Sequence, residues 1–168
     1  DNFTLVSIFI NPLQFEKQED LHNYPKTINH DIDIAFSSGA DGIFIPDANE
    51  IYPKENSQVD FLEASKNLSN TLCGLYREGH FNGVCTVIYR FLNLIKPKTL
   101  FLGEKDWQQL LIIKKLIQDK NLNITIKSID TQRDSDGVPY SSRNNFLSID
   151  ERKKLFIFSR ELSNAKRD

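Results

Sequence analysis

Lys98-Thr99-Leu100-Phe101-Leu102-Gly103-Glu104-Lys105-Asp106-Trp107-Gln108-Gln109 runs from an apolar stretch through a charged turn into a helical pattern. Its first six residues read as a fully buried strand, which the glycine and the charges after it bring to an end. Leu110, Leu111, Ile113, Leu116 and Ile117 then recur at helical spacing. Upstream, Leu5-Val6-Ser7-Ile8-Phe9-Ile10 reads as another strand. Ile28, Ile32, Ala35 and Phe36 form a helical stripe closed by Ser38-Gly39, and Gly42-Ile43-Phe44-Ile45-Pro46 is a short strand cut off by proline. Val59, Phe61 and Leu62 suggest a minor strand and residues 68–76 a short helix. Residues 84–94 predict a longer helix, and 123–130 alternate as a strand. Ser148-Ile149-Asp150-Glu151 opens a last helix with a capping box. Strands alternating with helices predict an α/β fold whose mostly parallel sheet is covered on both faces.

The chain has 168 residues, with 21 basic against 23 acidic side chains, 39% apolar residues, 7 Gly and 6 Pro. This is the profile of an ordinary domain with its own core, and it excludes collagen-like, disordered and disulfide-scaffold classes. A net charge of −2 supplies no general field for nucleic acid or an anionic membrane. The longest apolar runs, 110–113 and 155–158, fall far short of the ~20 residues of a bilayer span. With only Cys73 and Cys85, two reduced thiols are expected. Methionine is absent even at position 1, and the chain enters a strand with no preceding element. It is therefore expected to be an internal segment, incomplete at both ends.

In a parallel α/β sheet, ligands sit beyond the carboxyl ends of the strands, where loops and helix N-termini converge. Asn11-Pro12-Leu13-Gln14-Phe15 follows the first strand, and its amides can orient hydroxyls and carboxylates without adding charge. Gly103 to Gln109 follow the decisive strand: the glycine admits a phosphate close to backbone, Lys105 is a point charge, and Gln109 lies one turn into the helix. Alternatively, Asp106 merely caps that helix. Tyr140-Ser141-Ser142-Arg143 offers hydroxyls and a planar guanidinium to a triphosphate, and no G-x-S-x-G elbow marks a serine nucleophile. Arg77-Glu78-Gly79-His80-Phe81 holds a histidine whose plainer role is structural. Cys73, His80 and Cys85 lack the spacing of a zinc site. His22 and His30 read as surface residues.

These segments, with Tyr24-Pro25-Lys26-Thr27, Glu50-Ile51-Tyr52-Pro53, Gly79-His80-Phe81-Asn82-Gly83-Val84 and Ser141-Ser142-Arg143-Asn144, occur in the order and spacing of one family. The chain resembles the central part of the pantothenate synthetases, or pantoate–β-alanine ligases. That resemblance implies a Rossmann-like nucleotidyltransferase fold, with 1–147 as a partial catalytic domain and 148–168 as the start of a C-terminal region. It implies condensation of pantoate with β-alanine by way of a pantoyl adenylate, with ATP as substrate and Mg²⁺ as cofactor, in a cytoplasmic homodimer. Some family members are fused to a cytidylate kinase. By the same resemblance Gly103, Glu104, Lys105, Asp106, Gln132, Tyr140, Ser141, Ser142 and Arg143 hold ATP, and Lys105, Ser142 and Arg143 act in catalysis. Gln14, Gln109 and Asn11 hold pantoate, Gln14 also borders β-alanine, and Asp31 matches a metal-associated position. The family's paired-histidine motif would precede Asp1, so this segment alone is expected to have little activity. Two other functions are open to these residues: adenylation of a different small acid, and nucleotide binding without catalysis.

Overall fold

A computed structural model describes residues 2–15, 18–25, 27–53 and 60–165. Two parallel strand pairs and seven α-helices alternate along these residues. β1 (Leu5–Ser7) pairs with β2 (Gly42–Phe44), Val6 opposite Ile43. β3 (Thr99–Gly103) pairs with β4 (Thr125–Ile129), Phe101 opposite Lys127. The helices are α1 (Gln18–Asn23), α2 (Ile28–Ser37), α3 (Ala48–Ile51), α4 (Lys66–Ser69), α5 (His80–Ile95), α6 (Trp107–Asp119) and α7 (Ile149–Ala165). Parallel pairing matches the expectation, but among the described residues the strands form two pairs that do not hydrogen-bond to each other.

α5 joins the two halves. Its Val84, Cys85 and Leu92 pack with Ile112, Ile113, Leu116 and Ile117 of α6 beneath Leu100 and Leu102 of β3. Its Val87 and Phe91 pack with Ile51, Phe9 and Phe44 beneath the other pair. Phe91 meets Phe9 and Phe44 edge-on, at 5.7 and 5.3 Å between centroids, the favoured aromatic geometry. Thr86, fully buried, donates to Asn82 O at 2.8 Å and accepts from Leu62 N at 3.0 Å. Its hydroxyl is satisfied in both roles, as burial requires.

Several expectations need correction. The strand at 98–103 is buried on one face only: Phe101 is 58% exposed and lies beside the Lys127 ammonium. The strand at 5–10 stops at Ser7, and Phe9 turns into the aromatic cluster. In α2 only Ala35 is buried, while Ile28, Ile34 and Phe36 remain exposed. Phe61 and Leu62 form no strand, because the Leu62 amide is taken by Thr86, and Val59 lies outside the described residues. The helix at 68–76 is broken into α4 and a 3-10 turn, Leu72–Leu75, since Leu72 adopts a φ of 47° and Gly74 presses on Ser69 O.

Candidate functional site

A cleft of about 540 Å³ opens where β1 and β3 end. Each strand delivers a tight turn to it. After β1, Asn11 caps the 3-10 turn Pro12–Gln14, its side-chain oxygen accepting from Leu13 N at 3.2 Å. Asn11 is nearly fully buried, and each end of its amide is bonded. Its Nδ2 donates to Gly83 O at 3.0 Å, and its Oδ1 also accepts from the Tyr52 hydroxyl at 2.8 Å. Burial pushes the Tyr52 hydroxyl up to about 12, against smaller opposing effects from Arg90 and from Asn11 itself. Tyr52 thus stays a neutral donor at any ordinary pH. Asn11 thereby fixes the turn from below and presents Gln14 to the cleft.

α5 completes this wall through a backbone contact. A Cβ on Gly83 would lie 2.4 Å from Leu13 O, so only glycine lets helix and turn approach this closely. Just before α5, Gly79 takes a φ of 71°, which turns the chain into the helix. The buried His80 then sets Nδ1 2.9 Å from Gln14 O. A carbonyl only accepts, so Nδ1 carries the hydrogen. Arg77 donates to the same carbonyl at 3.4 Å.

After β3, Glu104–Asp106 form a 3-10 turn and α6 begins at Trp107. Asp106 stands at the head of α6 but makes no capping hydrogen bond, so the alternative in which it merely caps the helix fails. Gly103 has an ordinary φ of −74°, and a Cβ there would meet nothing within 4 Å. Among the described residues nothing requires glycine at this position. Gln108 and Gln109 diverge. The Gln108 amide donates to Leu68 O and Thr71 O and accepts from Cys73 N, tying the 68–73 loop to α6. Gln109 lines the cleft, and its side chain, like that of Gln14, bonds to nothing among the described residues.

The third wall is the loop before α7. Lys105 Nζ donates to Tyr140 O at 2.7 Å, Ser142 donates to the Tyr24 hydroxyl at 3.2 Å, and the Arg143 guanidinium stands 5.2 Å over the Tyr24 ring. Ser141 accepts from Arg143 N at 3.3 Å. α7 braces the base of this loop: Arg152 pairs with Asp134, and Ser159 donates to Gly137 O at 2.7 Å.

Of the residues singled out from sequence, Asn11, Gln14, Lys105, Asp106, Gln109 and Arg143 line one cleft. Tyr140, Ser141 and Ser142 stand behind it, each bonded to a lining residue. Gln132 lies at the foot of the loop, its carbonyl accepting from Tyr140 N at 3.2 Å. Glu104 opens the 3-10 turn without lining the cleft. The structure does not bring in Asp31, which accepts from Thr27 Oγ1 at 3.0 Å and lines a separate groove beside β1. Among the described residues no cluster of three metal-ligating side chains occurs, and no helix is long and apolar enough to cross a membrane. Arg77, Cys73, Tyr24 and Trp107 also line the cleft; each lies in a segment quoted from the sequence, but none is given a binding role there.

The cleft is a positive spot on a negative chain. Arg77, Lys105 and Arg143 face it with Asp106 as the acidic lining residue. Among the described residues no carboxylate lies within 4.0 Å of any of the three cations, whereas Arg152, Lys115, Lys153 and Arg160 elsewhere are all paired. Unpaired cations beside unbonded neutral amides make a receptor for anions that also carry hydroxyls.

Comparison with known proteins yields one answer. A family model described as pantoate-beta-alanine ligase matches residues 1–168. A bifunctional pantoate ligase/cytidylate kinase of Prochlorococcus marinus subsp. pastoris is 66% identical over 165 residues, covering 98% of this chain and 32% of the relative. One from Synechococcus sp. strain CC9311 is 45% identical over 97% of this chain and 33% of its own length. The chain thus spans about a third of these relatives. Among solved structures, a pantoate-beta-alanine ligase of Francisella tularensis, complexed with beta-gamma ATP and beta-alanine, superposes with a TM-score of 0.88 at 38% identity. That match covers 95% of this chain and 60% of the other. Pantothenate synthetase of Thermus thermophilus gives 0.86 at 37% identity, over 94% of this chain and 56% of its own.

Proposed function

Since the chain belongs to the pantoate-beta-alanine ligase family, we propose that its cleft is where pantoate is activated by ATP and joined to β-alanine. One observation supports this reading above the others: unpaired Lys105 and Arg143 converge with the unbonded amides of Gln14 and Gln109 in a single cleft. In the first step the pantoate carboxylate attacks the α-phosphorus of ATP and pyrophosphate departs. Two anions must approach each other, so Lys105 and Arg143 neutralise the polyphosphate as charge grows on the leaving group. Gln14 and Gln109 hold the acid by hydroxyl and carboxylate in near-attack geometry, and being neutral they leave the carboxylate nucleophilic. The open space over Gly103 lets a phosphate lie against backbone, beside the N-terminal amides of α6. In the second step the β-alanine amine attacks the acyl carbonyl and AMP leaves.

Mg²⁺ fits this donor set. It is commonly held by one or two carboxylates together with substrate phosphates, and uncapped Asp106 is a carboxylate at the rim. Bound there, the ion would neutralise polyphosphate charge. Asp31, in its separate groove, has no part in this arrangement.

The test is ATP-dependent formation of pantothenate by the ligase that contains this segment at its relatives' length. AMP should appear one-for-one with product. ATP binding without AMP formation would instead indicate a nucleotide-binding module, and AMP formation driven by another acid would indicate a different substrate.

A further inference from the structure

We infer that Gln108 is a positioning residue that pins Leu72 at the rim of the cleft as an apolar shield, and that this shield keeps water from the acyl adenylate. The inference rests on the ligase reading and goes beyond it. An acyl adenylate is a mixed anhydride, open to water as well as to the amine. When water attacks the acyl carbon, the bond from that carbon to the phosphate oxygen breaks, pantoate and AMP leave, and the water's protons pass to solvent. ATP is then consumed with no amide formed. A ligase that runs through such an intermediate must exclude water from the place where the acyl group lies.

Leu72 is held in a conformation it does not favour. Its φ of 47° lies in the left-handed region, where a Cβ is crowded, and it is 69% exposed. Glycine would sit there without strain. The leucine fills little of the interior in return, yet it lines the cleft. Strained residues persist only where their surroundings dictate the conformation, and they gather at working sites.

Here one side chain dictates it. The Gln108 amide donates to Thr71 O at 2.7 Å and accepts from Cys73 N at 3.1 Å, so it grips the peptide group on each side of Leu72. Its second N–H donates to Leu68 O at 2.8 Å, near the end of α4. From the other side Gly74 N donates to Thr71 O at 2.9 Å and closes the turn. Both amide hydrogens of Gln108 are thus engaged together with its oxygen, a pattern that neither a carboxylate nor a thioether can reproduce. Gln109, the next residue of α6, lines the cleft, so the clamp ties the shield to the helix that faces the acid.

The experiment compares Leu72→Gly and Gln108→Met with the parent in the full-length ligase. It measures AMP and pantothenate formed from ATP, pantoate and limiting β-alanine, and the urea unfolding of each protein. The parent should release one AMP per pantothenate. In both variants that ratio should rise about twofold or more, as water competes for the acyl group. Leu72→Gly should unfold at a urea concentration no lower than the parent's, because glycine enters the left-handed region freely. A raised ratio in a protein of undiminished stability separates shielding from a merely structural role, which would lower both products alike. Should Gln108→Met not fold, Gln108→Glu takes its place, and its raised ratio should fall as acid protonates the carboxyl and restores one donor. A ratio that stays at one in Leu72→Gly overturns the inference, as does a ratio of one in a folded Gln108 variant. Absence of pantoate-dependent exchange of pyrophosphate into ATP in the parent would overturn the ligase reading itself, and this inference with it.

Discussion

Gln108 and Gln109 carry the same side chain one residue apart, and α6 turns one toward the protein and the other toward the cleft. Substituting Gln108 would release the 68–73 loop, whereas substituting Gln109 would remove an open hydrogen-bonding group from the pocket. Lys105 is expected to be decisive at this scale. Lys105→Ala in the full-length ligase should slow adenylate formation by more than tenfold, over about 1.4 kcal/mol, measured by pyrophosphate exchange. Retention of the parental rate would make this lysine surface charge. Tyr52 gives a test in alkali. Its hydroxyl ionises near 10 when unfolded and near 12 when folded, so the native state holds the proton more tightly. The stabilisation is complete below pH 10 and is lost as pH rises from 10 to 12. Tyr52→Phe should lower stability at neutral pH by about 1 kcal/mol, the worth of one hydrogen bond. It should also flatten the decline between pH 10 and 12, read from urea unfolding at each pH.

At the scale of elements, the contact between α5 and the Pro12–Gln14 turn sets the cleft's width. Gly83→Ala places a methyl 2.4 Å from Leu13 O, so helix and turn must part. A loss of about 1–3 kcal/mol is expected in urea unfolding, as for overpacked cores, with reduced catalysis because Gln14 moves too. A variant of parental stability and activity would show that the contact carries no strain. The elements were legible in sequence where periodicity and caps agreed. β4 lies within its expected span, α6 carries the apolar stripe expected of it, and the Ser148–Glu151 capping box opens α7, with Ser148 N donating to Glu151 at 2.8 Å. Those bonds hold the Glu151 carboxyl below its usual range. Misreadings came where a side chain diverted backbone from its local preference. Thr86 captured Leu62 N, and the steric demand at Gly74 split a helical pattern that an apolar count could not resolve.

For the whole molecule, the carboxyl ends of the strands said where to look, and Lys105, Gln109, Gln14 and Arg143 do meet in one cleft there. The motif that contains Arg77 gives it no place in the cleft, because that place depends on a carbonyl 63 residues away, a proximity that no spacing encodes. Asp31 lies in a separate groove beside β1, and sequence cannot say which side of a strand a helix will choose. The two thiols report on the packing of the molecule. Cys73 is exposed at the cleft, while burial in α5 lifts Cys85 to about 11. At about pH 8 a thiol reagent should modify one cysteine within minutes in the native protein, and the second only after denaturant is added. Two rapid modifications would mean that α5 is not seated as described.

The Gly83–Leu13 contact has one more consequence. Main-chain atoms rest on main-chain atoms there, so the gap between helix and turn is gauged by dimensions common to every polypeptide. Side chains elsewhere in the interior can drift in size over generations without resetting the aperture. The tolerance of the machine is thereby detached from the composition of its filling.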